Sequence, residues 1–106
     1  MRNALKYMEE HYSEKLSLNK VAEETYVSQW HLSKLLNRQE GKNFSEILNQ
    51  IRVEHAKELM KEKAYRIADI AELVGFTDVA HFSRVFKKME GVSANEYRNT
   101  RVFLPK

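Results

Sequence analysis

A chain of 106 residues, 42% hydrophobic and 31% charged, carries enough apolar material for one domain or for two very small units sharing a core. One proline and three glycines leave little room for a turn-rich β architecture, and the lack of cysteine excludes a disulfide framework or a thiolate metal site. The formal charge of +3 is unevenly spread: residues 25–43 carry three basic residues against one acidic, residues 78–106 six against three, and every other stretch sums to zero or below. That is how an electrostatic footprint for a polyanion would be laid out, in two separate places.

The opening "MRNALKYMEEHY" has acidic residues where a signal peptide needs an apolar run, and no stretch approaches the ~18 apolar residues of a membrane span. A cytoplasmic protein is expected. Residues 3–12 place Leu5, Met8 and Tyr12 on one helical face. Ser17 is a good N-cap for "LNKVAEE", whose Leu18, Val21 and Ala22 face inward. A second cap, Ser28, opens a helix that Gly41 closes. Its core-facing stripe is Leu32, Leu35, Leu36 and Gln39, and the opposite face carries Trp30, Ser33, Lys34 and Asn37. "NFSEILNQIRVEHAKELMKEK" is the longest pattern, with Phe44, Ile47, Leu48, Ile51, His55 and Leu59 in register and Asn43 and Glu46 spaced as a capping box. At 1.5 Å per residue, its roughly 18 residues would reach ~27 Å.

The chain then repeats itself. "LSLNKVAEETYV" at 16–27 aligns with "YRIADIAELVGF" at 65–76, pairing Val21 with Ile70, Ala22 with Ala71 and Glu23 with Glu72. After one extra residue, "HLSKLLNRQEGKNFSEI" at 31–47 aligns with "HFSRVFKKMEGVSANEY" at 81–97, and Ser93 and Glu96 repeat the capping box. The second inner stripe is Phe82, Val85, Phe86 and Met89. The expected fold is all-α, about seven helices forming two helix-turn-helix units joined by a long linker helix. The first subdomain is 1–43, the linker 44–62, the second subdomain 63–100, and 101–106 a C-terminal tail.

In each unit a short helix with a buried alanine is followed by a tight turn and a longer capped helix. A helix-turn-helix uses that order to brace one helix and offer the outer face of the next to a DNA major groove. Gly75 suits the left-handed residue such turns often need; Tyr26 occupies the matching place in the first unit and weakens the motif there. His31 and His81 lack partners at any metal-ligand spacing, and His11 and His55 form no metal motif. No nucleophile–base pair, carboxylate pair or phosphate-binding glycine loop is present, so neither an enzyme nor a cofactor is expected.

The second unit, "RIADIAELVGFTDVAHFSRVFKKMEGVSANEYR", resembles the signature of the AraC/XylS-type transcription factors at Ile67, Ile70, Ala71, Gly75, Phe76, Phe82, Arg84, Phe86, Lys87, Gly91, Ser93, Tyr97 and Arg98. It departs at Ala94, where the family usually has proline. The first unit is similar through "LSLNKVAE", Ser28, Leu32 and Gly41, with Arg52, Ala56 and Leu59 on the linker. It departs at Leu36 and Asn37, where phenylalanine and lysine are common. The resemblance covers roughly residues 3–99, and the style of "EEHYSEKLSLNKVAEETYVS" is most similar to members whose amino-terminal partner is a response-regulator receiver.

The resemblance implies sequence-specific binding of double-stranded DNA as the DNA-binding module of a bacterial transcription regulator. Its recognition helices would be 28–40 and 78–89, entering successive major-groove segments about one turn of B-DNA apart, roughly 34–36 Å. The base-reading candidates are Gln29, Trp30, Ser33, Lys34 and Asn37 on the first helix and Val79, Ala80, His81, Ser83 and Arg84 on the second. Ser28, Arg38, Lys42, Asn43, Lys87, Lys88 and Arg98 are the phosphate candidates; Asp78 would repel phosphate and is better read as an N-cap. The implied partners are a double-stranded DNA operator, a sensing or receiver domain outside this chain, and RNA polymerase, with no membrane. The alternative is a helical protein-interaction module that binds an acidic partner, with Trp30 as its anchor.

Overall fold

A computed structural model describes residues 2–103. Seven α-helices follow in order: α1 Arg2–His11, α2 Leu18–Glu24, α3 Gln29–Glu40, α4 Phe44–Leu59, α5 Ile67–Leu73, α6 Val79–Glu90 and α7 Ala94–Tyr97. A π-helical turn, Arg98–Val102, continues α7, and no strand occurs among the described residues. The fold is all-α. The chain divides into two compact units, Met1–Ile51 and Arg52–Lys106, with the boundary inside α4.

In the first unit Ala4, Met8, Val21, Ala22, Leu32, Leu36, Ile47 and Leu48 form the buried cluster, and Leu5, Tyr12, Leu18, Phe44 and Ile51 pack around it. Of the expected stripes, Met8 of α1 and Val21 and Ala22 of α2 are buried, while Leu5, Leu18 and Tyr12, just past α1, are half-buried. Leu35 is half-buried and Gln39 is exposed, so the inner face of α3 is narrower than its sequence suggests. In the second unit Val53 and Ala56 of α4 and Met60 just beyond it are buried, as are Ile70, Ala71, Val74, Phe76, Phe82, Phe86 and Ala94. The Phe76, Phe82, Phe86 and Tyr97 rings meet in succession at centroid separations of 5.2, 5.7 and 5.4 Å, in the tilted and edge-on arrangements aromatic pairs prefer. Met89, expected on the inner stripe, is 39% exposed.

The caps are where the sequence places them. Ser17 Oγ accepts from Lys20 N–H, Ser28 Oγ from His31 N–H and Asp78 Oδ1 from His81 N–H, each supplying one of the acceptors that helix N-termini lack. At α4, Asn43 and Glu46 make the reciprocal capping box, with both bonds near 3 Å. Gly41 and Gly91 end α3 and α6 at φ 68° and 83°. The linker helix is 16 residues long and ends at Leu59 rather than at 62, roughly 24 Å at 1.5 Å per residue. The expected tail is in part helical, through Val102; residues 104–106 lie outside the described residues.

The repeat extends to single hydrogen bonds. After α2, Tyr26 N–H donates to Glu23 O and Val27 N–H to Ala22 O; after α5, Gly75 N–H donates to Glu72 O and Phe76 N–H to Ala71 O. Both pairs are the crossed bonds of a Schellman motif, which needs a left-handed residue just past the helix. Gly75 supplies it at φ 103°. Tyr26 supplies it at φ 60°, the only positive φ of a non-glycine residue among the described residues. The backbone of the first turn therefore matches the second in spite of its side chain.

Candidate nucleic-acid interface

The helix-turn-helix geometry decides which side chains reach outward. With Leu32 and Leu36 of α3 and Phe82 and Phe86 of α6 sunk in their cores, the opposite faces are left to solvent. On α3, Gln29, Trp30, Lys34 and Asn37 are exposed and Ser33 is half-buried. Trp30 is 70% exposed, and Lys34 Nζ stands 5.1 Å from its ring centroid, a cation–π contact on the outer surface. The α6 candidates Val79, Ala80, His81, Ser83 and Arg84 are all exposed, as are Lys87 and Lys88. The two outer faces correspond one to one at a spacing of 50 residues, from Gln29 and Val79 to Asn37 and Lys87.

Several candidates are engaged within their own unit. Gln29 Nε2 donates to Asn19 Oδ1 of α2 at 2.9 Å, and Asn19 Nδ2 donates to Glu23 Oε1 at 2.8 Å. Asn37 Nδ2 bonds back to Ser33 O at 3.0 Å. Lys42 Nζ donates to Gln50 Oε1, and the Asn43 carboxamide oxygen caps α4. The His81 ring meets Phe76 edge-on at 5.3 Å. Arg84 is exposed, and among the described residues no ion pair or hydrogen bond holds it. Ser28, with its Oγ on His31 N–H, and Arg38 stand exposed at the two ends of α3.

Arg98 departs from expectation. Its Nε donates to Met60 O at 3.1 Å, Nη1 to Tyr65 O at 2.6 Å and Nη2 to Glu62 O, and its guanidinium lies 5.5 Å from the Phe103 ring. It closes the carbonyl end of α4 and the loop beyond, so it is turned onto the protein backbone rather than toward a phosphate. Nearby, burial disfavours the charge of Lys57. Hydrogen bonds to Glu54 and Glu90, both at 3.2 Å, outweigh that and hold its ammonium above the usual lysine value. Half-buried Arg52 lies 5.6 Å over the Phe76 ring, and burial pushes its guanidinium below the usual arginine value.

Sequence reasoning passed over Asn19 and Glu23, whose part depends on side chains ten residues apart meeting across a turn. The spacing of Asn19 and Glu23, four apart on one helix, was the only available signal. No three His, Cys, Asp or Glu side chains among the described residues converge as metal ligands would, and no helix there is long and apolar enough to cross a membrane.

Residues 21–100, from inside α2 through both units, match the family model of the helix-turn-helix domain. The chain belongs to the AraC-type helix-turn-helix family. Among its AraC-type relatives, the regulatory protein PocR of Salmonella typhimurium is 35% identical over 98 residues, which are 92% of this chain and 32% of PocR. The C-terminal domain of AraT, a response regulator from Geobacillus stearothermophilus, superposes with a TM-score of 0.88 at 42% identity, covering 94% of this chain and 84% of that one. The DNA-binding domain of AdpA, solved in complex with a target DNA, shares the fold at a TM-score of 0.84 and 22% identity, covering 92% and 87% of the two chains. The chain spans about a third or less of the length of the first curated relatives it matches.

Proposed function

We propose that this chain is the sequence-specific double-stranded-DNA-binding module of a bacterial transcription regulator, with α3 and α6 as recognition helices for successive major-groove segments. The observation that carries it is the pair of matched, exposed outer faces on two helix-turn-helix units, each accompanied by basic residues, Lys34 and Arg38 on α3 and Arg84, Lys87 and Lys88 on α6. On α3, Gln29 and Asn37 offer carboxamides suited to adenine, Lys34 an ammonium suited to guanine O6 and N7, and Trp30 a ring for a thymine methyl or a sugar edge. On α6, Arg84 is the donor, and Val79 and Ala80 offer only apolar contact. The first unit therefore dominates sequence choice, and the second mainly positions. Ser28, Arg38, Lys42, Lys87 and Lys88 supply phosphate contacts around them.

The module is one part of a longer regulator. The likeness to the C-terminal domain of AraT, a response regulator, supports a receiver domain as the partner joined to it; a DNA operator and RNA polymerase are the other partners of this reading, and the cytoplasm its setting. Binding, with no catalytic step, is its role.

Selection from a pool of randomised duplexes tests this. Wild type should enrich one bipartite motif, its half-elements about 10 bp apart. Weak binding without a motif, vanishing at moderate salt, would reduce the basic faces to generic polyanion surfaces. A second reading, an acidic protein partner docking on the first unit, draws on two exposed rings, Tyr26 at 94% and Trp30 at 70%. Competition by duplex DNA separates the two.

A further inference from the structure

The chain Glu23–Asn19–Gln29 has a direction. A carboxylate only accepts hydrogen bonds, whereas a carboxamide donates from nitrogen and accepts at oxygen. Glu23 Oε1 therefore obliges Asn19 to turn its nitrogen toward it, at 2.8 Å. That leaves Asn19 Oδ1 facing α3, where it can only accept, and Gln29 must present Nε2 to it, at 2.9 Å. One Gln29 N–H is thereby spent. The other N–H and the Oε1 acceptor make no further hydrogen bond among the described residues, on an exposed residue at the first position of α3. With its polarity fixed in this way, the carboxamide can offer donor and acceptor to adenine N7 and N6. Were the carboxamide reversed, donor and acceptor would change places, and the same edge would meet adenine's acceptor with an acceptor.

We infer that Glu23 and Asn19 of α2 are positioning residues that fix the polarity of the Gln29 carboxamide and so set its preference for adenine; this rests on the DNA-reading function proposed above. The second unit lacks the device. The residues matching Asn19, Glu23 and Gln29 are Ala68, Glu72 and Val79, so the carboxylate persists without a carboxamide to orient or a reader to receive it. A bracing role for α2 would not need this polarity, since a glutamine at position 23 would hold Asn19 equally well by either of its ends.

The test uses the motif that wild type selects from randomised duplexes. The position that Gln29→Ala relaxes is identified, and affinities are measured for duplexes bearing each of the four base pairs there. Wild type should prefer adenine by roughly tenfold or more, as a bidentate carboxamide contact does. Glu23→Gln, nearly isosteric but without fixed polarity, should cut that preference by about threefold or more and leave the rest of the motif and the thermal midpoint unchanged. Asn19→Asp combined with Glu23→Gln should restore it, because an aspartate at 19 accepts from Gln29 by itself, while glutamine at 23 donates to it. If Glu23→Gln and Asn19→Ala both keep the wild-type preference at a position that Gln29→Ala relaxes, Gln29 reads bases unaided and the inference falls while the function stands. Failure of wild type to select any motif overturns the DNA-reading function and the inference with it.

Discussion

Replacing Tyr26 by glycine should make the first unit more stable. An L-residue in the left-handed region carries a penalty of about 1–2 kcal/mol from its Cβ meeting the following carbonyl, and glycine escapes it. Tyr26 sits there at φ 60° because Val27 and Tyr26 must donate back to Ala22 and Glu23. Against the gain stands the greater freedom of glycine in the unfolded chain, about 0.5–1 kcal/mol. Its ring is 94% exposed, so little packing is lost with it. The balance is a net stabilisation of about 0.5–1 kcal/mol, and at ~4–8 °C per kcal/mol for a domain of this size it is a rise of several degrees in Tm. Circular dichroism at 222 nm during heating reads it, with Gly75→Ala as the opposite control, expected to lower Tm because φ there is 103°. A fall in Tm for Tyr26→Gly would refute the reasoning. It would mean either that the ring is held by packing or that the turn in solution is not left-handed at 26.

Arg98→Ala should lower the unfolding free energy of the second unit by about 2 kcal/mol, since three backbone carbonyls lose a charged donor; unchanged stability with weaker DNA binding would return Arg98 to the phosphates. The ion pairs of Lys57 with Glu54 and Glu90 exist only while its ammonium is charged, so their contribution is complete below the usual lysine range and is lost as pH rises through its raised value. Wild type should accordingly lose more stability than Lys57→Met between pH 9 and about 12, followed by urea denaturation; parallel curves would discount the pair with Glu90. Trp30→Ala should leave Tm nearly unchanged, because the ring is 70% exposed, yet weaken operator binding by about 1–3 kcal/mol and relax one half of the selected motif. A loss spread evenly over both halves would remove Trp30 from the bases.

Much of the fold was legible because the signals are local. Ser17, Ser28, Asp78 and the Asn43–Glu46 pair are caps whose hydrogen bonds close within three residues, so their spacing alone announces them. The two outer faces followed from helical periodicity, which places Leu32 and Leu36 inward and Trp30 and Lys34 outward. Tyr26 was harder. Its residue type argues against a left-handed turn, and only the repeat, with Gly75 in register, points the other way. Arg98 was unreadable because its partners are main-chain carbonyls 33 to 38 residues away, and every sequence carries carbonyls. The stripe of α4 was half right. Ile47 and Leu48 serve the first core, but the second takes Val53, Ala56 and Met60, which a single uninterrupted period does not connect to them.

The solitary tryptophan gives the protein a built-in optical probe. Excitation at the red edge of indole absorption, beyond the five tyrosines, draws emission from one position alone, the outer face of α3. The indole is solvated and has an ammonium 5.1 Å above its ring, so its emission in the free protein is that of a polar, cation-perturbed site. Any duplex that displaces water or Lys34 from it changes that emission, while events confined to α6 do not. Stopped-flow mixing would then time the arrival of the first unit on DNA separately from that of the whole molecule, whose arrival anisotropy of a labelled duplex records. The order in which two duplicated readers land on their target could be followed without attaching anything to the protein.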